Sequence, residues 1–517
     1  MTPYLGTERK LPLERAPHAG HEESEAAMVV GFAGRAVAPA FAGVIVAAGL
    51  FAAQARAEET FHYDETNVRP AVYFAALSNL ANAVMFPGLG EALIISPYER
   101  DEWLRHAGYV TRPAMPDMAA VGPLYAGAEP RFAGAPDFTV PRTLVWEQSS
   151  VDRTLDPSAQ AWAMAKITSP EFHLQFHDLP DNKLAGLMMI PQARAQAQTL
   201  KKRLLNPAGL FAPLRTDGTF GEPSPRDQIA VLWAASNIIL AGTSGRDDYW
   251  HAAYRDLTDP DSYRDLLRKA FAAVRKLPPQ TPADRGLAIE ALGRFALATG
   301  DDEEQANALR FAREHADALK QGEATEIEDI AFAIYGLTEA GRLLAEPGYG
   351  EAAAAVFRDR LLPRWDDVAS LFRSGEEPMI YTPRLAGAVT AALGAMRWYG
   401  PEDLSSHANA LFPRFFENAV IRSGLMQASP LPLVAKPYLE NELPERFAHP
   451  ALPQAERTGK APVFASEVVY ADGGWSVSDP TFRTGDALFL ANMLAIRSDD
   501  GRTDVFLPDA SLGELKR

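Results

Sequence analysis

The stretch Thr281–Gly300, "TPADRGLAIEALGRFALATG", decides how most of this chain folds. It opens with a threonine and a proline, the pair typical of a helix N-cap followed by the first helical position. Apolar residues then recur three and four positions apart from Leu287 to Ala296, which is the spacing of one helix face. The stretch therefore predicts a helix that faces a core and ends in a glycine-containing turn.

The same kind of helix start recurs on both sides of this stretch. Ser224-Pro225 and Thr382-Pro383 repeat the cap and the proline, and Thr325 begins an equivalent helix without the proline. Each of three first helices is followed by a second segment of similar sequence, "ANALRF", "AAAAVF" or "ANALFP", which predicts a second helix. We predict four helical hairpins whose first helices begin at one rim, arranged as an open solenoid or a closed ring. Unequal intervals between the starts favour the ring.

This hairpin pattern, over about residues 224–423, resembles the (α/α) toroids, in which six helical hairpins close a ring. Such proteins include the N-acylglucosamine 2-epimerase-like proteins and many exported glycoside hydrolases and polysaccharide lyases. The resemblance rests on the hairpin pattern alone, without a signature motif, and it implies a carbohydrate cleft at one rim. Four hairpins cannot close a six-hairpin ring, so we expect further helices from segments such as Val68–Val84.

The expected fold class is mainly α, with the toroid-like domain at residues 224–428. Residues 58–223 are expected to form a mixed α/β segment with an optional small parallel sheet, because short apolar runs alternate there with helical stretches and prolines. Residues 429–517 are expected to form a proline-rich connector followed by a small β-containing segment. The runs that predict strands are "RTLVW" at 142–146, "LAGLMMIP" at 184–191, "PVFASEVVY" at 462–470, "GWSVS" at 474–478 and "ALFLANMLAI" at 487–496.

Residues 1–57 predict an export signal. Ala36–Ala53 carries no charge, follows Arg35 and leads into "ARA" at 55–57, a small-x-small site of the kind that signal peptidase cuts. If translation starts at Met28, the apolar segment lies at the usual distance from the N-terminus of an export signal. The residues before Met28 are then an extension that the natural protein lacks. The alternative is an uncleaved membrane anchor. Cleavage predicts a periplasmic or secreted protein without an integral membrane body.

Charge and cysteine content exclude several classes of function. The formal net charge is −17, so nucleic acid is not an expected partner. The chain has no cysteine, which excludes disulfides, thiolate-bound metals and covalently attached c-type haem. No other cofactor is indicated, and a divalent metal stays open.

Three acidic residues lie at the predicted rim and are candidates for acid–base catalysis: Asp284, Glu328 and Asp329. Asp284 and Glu328, like Asp227, stand three residues after their predicted caps. That is also the spacing of a capping box, in which the carboxylate accepts from the cap backbone. Helix capping is the preferred interpretation for Asp284 and Glu328.

Five further residues are candidates for substrate binding: Arg285, Tyr381, Arg384, Trp250 and Trp398. The two arginines could bind a carboxylate or a phosphate through two hydrogen bonds, and the aromatic rings could stack on sugar rings. Solvated arginines and core aromatics are the competing interpretations.

The segment "SPEFHLQFHDLP" at 169–180 is a candidate metal site, for which His62 in "FHYDE" would be a further ligand. On a helix, His173 and His177 would share a face and could bind one divalent ion. On a strand they would lie about 13 Å apart, too far to share a metal. A structural role for both histidines is the preferred alternative.

Two functions from different classes remain open at this level. One is a carbohydrate-active or carbohydrate-binding protein with its cleft at one rim. The other is a non-enzymatic protein of the cell envelope that binds or assembles another protein. A histidine-based metal protein is a weaker third.

Overall fold

The computed structural model describes residues 62–64, 68, 71–72, 75–76, 83, 86–111, 121–138, 140–174, 180–245, 248–375, 378–429 and 452–498. The predicted export signal lies outside the described residues, as does most of the predicted proline-rich connector.

The described part of the chain is mainly α-helical, as the sequence predicts. Its helices are α1 Pro97–Ala107, α2 Pro157–Ile167, α3 Pro170–Leu174, α4 Pro180–Leu187, α5 Ile190–Thr199, α6 Pro225–Thr243, α7 Tyr249–Leu257, α8 Pro260–Lys276, α9 Pro282–Ala298, α10 Asp302–Gln321, α11 Ile327–Leu343, α12 Pro347–Val356, α13 Pro383–Tyr399, α14 Glu402–Phe415, α15 Ala455–Thr458 and α16 Thr484–Ser498. Short π-helical turns extend α5, α12 and α14.

Six of these helices pack in a closed cycle. Helix α2 packs on α6, α6 on α9, α9 on α11, α11 on α13, α13 on α16, and α16 returns to α2. A second set of helices packs outside the cycle, with α5 on α2, α8 on α6, α10 on α9, α12 on α11 and α14 on α13. This is the arrangement that a helical-hairpin toroid requires, and membership of a toroid family stays a prediction.

Glycine allows two of the cycle helices to approach each other closely. A Cβ atom added at Gly286 of α9 would lie 2.0 Å from the carbonyl oxygen of Phe332 on α11. One added at Gly336 of α11 would lie 2.4 Å from the Cα of Gly286. Both contacts are with backbone, which cannot move aside cheaply, so the spacing of α9 and α11 depends on these two glycines.

The strands are short and pair antiparallel. They are β1 Gly90–Ala92, β2 Val121–Ala128, β3 Asp152–Leu155, β4 Trp365–Asp366, β5 Leu371–Phe372, β6 Met379–Tyr381, β7 Glu467–Ala471, β8 Gly474–Asp479 and β9 Phe482–Arg483. Strand β2 pairs with β1, β3 and β9, and β7 pairs with β6 and β8. The optional parallel sheet in the N-terminal segment is therefore wrong for the described residues.

Several runs that predict strands have a different structure. The run at 184–191 lies in α4 and α5, and the run at 487–496 lies in α16, which completes the cycle of helices. The run at 142–146 contributes a 3₁₀ turn and one isolated bridge at Trp146. The runs at 462–470 and 474–478 do contain β7 and β8. The C-terminal part thus adds strands and also one helix of the core.

No helix in the described ranges combines the length and the hydropathy that crossing a membrane needs.

Candidate active site

The helices of the cycle begin at one rim, and their first residues carry the site. Asp156 is the N-cap of α2, Ser224 of α6, Thr281 of α9 and Thr382 of α13. In each case the cap side chain accepts a hydrogen bond from a backbone N–H of the first turn. The predicted caps at Ser224, Thr281 and Thr382 are thus confirmed.

Two carboxylates at this rim share one serine. Asp156 accepts from the backbone N–H of Ser158 at 3.2 Å, and the Ser158 hydroxyl donates to Asp227 at 2.6 Å. The Ser224 hydroxyl also donates to Asp227, at 2.8 Å. Ser158 therefore holds the carboxyl groups of α2 and α6 close together.

This proximity changes the protonation of both groups. Burial and the negative charges of Asp227 and Asp486 together raise the pKa of Asp156 to about 8, against the opposing effect of the backbone N–H groups of Ser158 and Ala159. Burial also raises the pKa of Asp227, although the hydroxyls of Ser158 and Ser224 and the charge of Arg384 act in the opposite direction. Two like charges this close cannot both ionise easily. Asp156 therefore holds its proton near neutral pH.

Asp156 also borders an open cleft of about 620 Å³, a volume within the usual range for small-molecule sites. The cleft lies between β2, β3 and the start of α16. Its charged lining residues are Glu129, Asp152, Asp156, Arg483 and Asp486. The cleft therefore offers both a protonated carboxyl group and several other carboxylates to a bound molecule.

Local structure explains why Asp486 lies near Asp156. The Thr484 hydroxyl donates to the carbonyl of Tyr125 at 2.8 Å, which fixes the start of α16 on β2. Next to it, a Cβ atom at Gly485 would lie 3.0 Å from a carboxylate oxygen of Asp156. Glycine thus leaves room for the Asp156 carboxyl against α16, one residue before Asp486.

Further along the rim, two arginines hold the predicted catalytic carboxylates. Arg226 donates from Nε to Asp284 at 3.1 Å and lies 3.0 Å from Glu328 through Nη2. Arg384 donates from Nε to the same oxygen of Glu328 at 2.8 Å. Burial lowers the pKa of Arg384, and the nearby positive charge of Arg226 lowers it further. Glu328 is thus clamped between two guanidinium groups.

The preferred capping role of Asp284 and Glu328 needs correction. The N-cap of α11 is Glu326, without a side-chain cap bond, so the predicted cap at Thr325 is wrong. The Asp284 backbone N–H does donate to the Thr281 hydroxyl, at 3.1 Å, but the Asp284 carboxylate binds Arg226. Both carboxylates therefore form ion pairs between helices.

Asp329 does cap a helix, but a neighbouring one. Its carboxylate accepts from the backbone N–H of Ala283 in the first turn of α9, at 2.9 Å. Burial raises the pKa of Asp329, and the carboxylates of Glu328 and Asp284 add to the rise. Glu328 borders a second cleft of about 520 Å³ beside β6. Of the three predicted catalytic residues, only Glu328 is a lining residue of either cleft.

Three of the predicted substrate-binding residues are not placed to bind a ligand at the rim. Tyr381 is fully buried and donates to the carbonyl of Phe372 at 2.6 Å. Trp250 is 4% exposed and stacks on His173 at 4.6 Å between ring centroids. Trp398 lies in the last turn of α13, at the opposite end of the helix from the rim. The burial of Trp250 contradicts its predicted stacking on a sugar ring, and Trp398 lies away from the rim carboxylates.

The two predicted arginines differ from each other. Arg384 lies at the rim, and its guanidinium group packs over Phe489 of α16 at 4.9 Å. Among the described residues, its buried Nη2 atom has no hydrogen-bond partner. Arg285 instead lies near His315 of α10, where its charge helps to lower the pKa of that histidine. The structure thus brings Arg384, and not Arg285, to the rim carboxylates.

His173 has a structural setting. It lies in α3 and is fully buried, so the strand interpretation is wrong for this part of the segment. Its Nε2 atom is 2.8 Å from the carbonyl of Ile167, and its ring stacks on Trp250. Burial lowers the pKa of His173 to about 3, so the ring is neutral. His177 lies outside the described residues, and the shared metal site stays a prediction.

Neither Asp156 nor Asp486 is among the residues that the sequence predicts for this site. A usable signal was present for Asp156, because "LDPS" at 155–158 repeats the cap and proline of the other helix starts. The sequence does not indicate that Asp486 lies at the rim, because the run at 487–496 predicts a strand and not a helix of the cycle. With both residues added, the rim is a continuous set of carboxylates and arginines contributed by all six helices of the cycle.

No family model matches the chain, and a search of curated proteins finds no significant match.

Proposed function

We propose that this protein is a carbohydrate-active enzyme that uses acid–base catalysis in the cleft beside Asp156. The observation that supports the proposal best is a carboxyl group with a raised pKa that borders a cleft next to other carboxylates. Perturbed carboxyl groups in a cleft are candidates for catalysis because a general acid must keep its proton at the working pH.

The proposed chemistry assigns different roles to the two carboxyl groups nearest the start of α16. Asp156 donates a proton to the oxygen of the glycosidic bond that breaks. The Asp486 side chain is the second member of the pair and either activates a water molecule or stabilises the positive charge that develops on the sugar ring.

The charge of the cleft limits the substrate class. Its lining contains the carboxyl groups of Glu129, Asp152, Asp156 and Asp486 against one guanidinium group, that of Arg483. A glycan rich in uronic acid would meet like charges here, whereas neutral sugars or sugars with free amino groups would not. We therefore propose a neutral or amino-sugar glycan as the substrate.

The predicted export signal supports a periplasmic or secreted location for this activity, where glycans of the envelope and the surroundings are found. A non-enzymatic envelope protein is the second candidate. The observation in its favour is that Arg226 and Arg384 neutralise the carboxylates of Asp284 and Glu328, as expected for a rim that serves packing.

The test is turnover of a panel of neutral and amino-sugar oligosaccharides by the chain from Glu58 to Arg517, measured as new reducing ends. Asp156→Asn and Asp486→Asn should each lower the rate by at least a hundredfold, in the range expected for a general acid or base. The matched control is Asp259→Asn, because Asp259 also precedes a proline and caps a helix by accepting from the second residue after it. Absence of turnover throughout the panel, with binding to another envelope protein, would favour the second candidate.

A further inference from the structure

A cluster of three potential metal ligands lies on α1 and α7, on elements separate from the cycle of helices. Glu102 and His106 are four residues apart on α1 and share a face of that helix. Asp256 lies on α7, which packs against α1. One ligand atom from each residue lies within 4.8 Å of the other two.

The distances suit a small divalent cation. His106 Nε2 lies 3.1 Å from Asp256 Oδ2 and 4.0 Å from Glu102 Oε2. Zinc bonds of 2.0–2.2 Å in a tetrahedron place ligand atoms about 3.3–3.6 Å apart, so these two distances lie on either side of the range that a bound zinc ion needs. One nitrogen and two carboxylate oxygens also form a ligand set that zinc accepts, with a fourth position left for water.

The His106 ring is nearly buried and faces the cluster. Its side chain is 6% exposed. Helix α1 begins with a reciprocal capping box between Ser96 and Glu99 and ends before Gly108, whose φ is 89°. The helix that carries Glu102 and His106 is therefore capped at both ends.

A positive group already occupies the centre of the cluster. Arg105 Nη2 lies 2.5 Å from Glu102 Oε2, 2.7 Å from Asp256 Oδ2 and 2.9 Å from His106 Nε2. A guanidinium N–H can donate to Nε2 only when that nitrogen is unprotonated, which is also the state that binds metal. The Arg105 side chain is 55% exposed and can move into solvent.

We propose that Glu102, His106 and Asp256 form a binding site for one zinc-like divalent cation, with Arg105 as a displaceable internal cation. The cation replaces the guanidinium nitrogen at the same three ligand atoms. Arg105 therefore weakens metal binding in the wild-type protein, and its removal exposes the full affinity of the site. The inference is independent of the proposed glycan chemistry.

The test is calorimetric titration of the metal-free, tag-free chain with zinc. Arg105→Ala should bind one equivalent at least tenfold more tightly than the wild type, and Arg105→Ala with Asp256→Asn should lose that gain. The control is Asp265→Asn, which removes an exposed carboxylate that is paired with Lys201 and Lys269 on the surface. Circular dichroism confirms that each variant is folded.

A second measurement does not depend on affinity. Cobalt bound to Arg105→Ala should show the visible absorption of a four- or five-coordinate site, and the added Asp256→Asn substitution should remove it. Equal zinc affinity of Arg105→Ala and wild type, or unchanged binding after the loss of Asp256, would show that the cluster is a structural ion-pair network and would overturn the proposal.

Discussion

Replacing Asp156 with asparagine should make the protein more stable at neutral and alkaline pH while it removes activity. Asparagine caps helices about as well as aspartate and keeps an oxygen for the Ser158 backbone N–H. It cannot ionise, so folding at neutral pH no longer requires the proton uptake that burial and the nearby carboxylates of Asp227 and Asp486 impose on Asp156. A gain of stability with a loss of activity is the behaviour expected of a strained catalytic group.

The magnitude follows from proton linkage. The pKa of Asp156 rises from 3.8 to about 8 on folding, so the folded state binds the proton more tightly than the unfolded state does. The wild-type free energy of unfolding therefore falls as pH rises between about 4 and about 8, by at most about 1.4 kcal/mol per pH unit. Between pH 5 and pH 8 this limit is about 4 kcal/mol. Because Asp227 shares the repulsion, we expect about half of it, near 2 kcal/mol.

The assay is urea denaturation of wild type and Asp156→Asn at pH 5, 6, 7 and 8. The stability difference in favour of the variant should grow by about 2 kcal/mol across this range. Asp259→Asn, which removes the capping aspartate of α8, is measured beside it as the matched control. A difference that stays constant with pH, or a variant that loses stability as pH rises, would refute the raised pKa and with it the role of Asp156 as proton donor.

Three further predictions concern the rim and the core. Gly286→Ala should lower the free energy of unfolding by about 2–3 kcal/mol in urea denaturation, because its Cβ would meet the backbone of α11. Arg226→Gln should cost about 1–2 kcal/mol in the same assay, since it removes the guanidinium partner of Asp284 and one of the two guanidinium partners of Glu328, while the arginine itself is partly exposed. His173→Leu should cost about 1–2 kcal/mol and leave zinc affinity unchanged, because the lost partner is a backbone carbonyl.

Matched variants separate these effects from nonspecific damage. Gly350→Ala lies in α12, where a new Cβ meets no atom within 4 Å, so it should be neutral or stabilising. Arg226→Lys should restore only part of the lost stability, since one ammonium group cannot reproduce two directed contacts. A stable Gly286→Ala would contradict the close approach of α9 and α11, and zinc affinity that falls with His173→Leu would contradict its structural role.

The local part of the fold could be predicted from the sequence. Helices that start with Ser224, Thr281 and Thr382 were predicted at the right positions because a cap hydroxyl and a proline act within one turn. The second helices of the hairpins could also be predicted locally, because the apolar spacing that indicates them lies within one short segment. These signals do not depend on residues far away in the chain.

The closing helix of the cycle could not be predicted in this way. Residues 487–496 are apolar on nearly every face, and periodicity cannot separate such a buried helix from a buried strand. What holds α16 in place is distant in sequence, as shown by the buried Lys166, which donates to the carbonyl of Ala491 at 3.0 Å. The sequence alone contains no sign of that pairing.

In the candidate site too, the features set by local sequence could be predicted, and those set by tertiary packing could not. The rim was predicted correctly as the meeting point of helix starts, and Glu328 and Arg384 do meet there. Their ion pair was not predicted, because the spacing of a capping box also fits a carboxylate that turns toward another helix. Asp156 and Asp486 come together only when the first and last helices of the cycle meet, which depends on tertiary packing.

The role of Asp156 as proton donor is tested by titration of its carboxyl group, by infrared spectroscopy of protein with isotope-labelled aspartate. Subtracting the Asp156→Asn spectrum isolates the band of this group between pH 4 and pH 9. We predict a protonated carboxyl band that disappears with a midpoint near pH 8. A group already ionised at pH 5 would contradict the proposal that Asp156 donates a proton in the cleft.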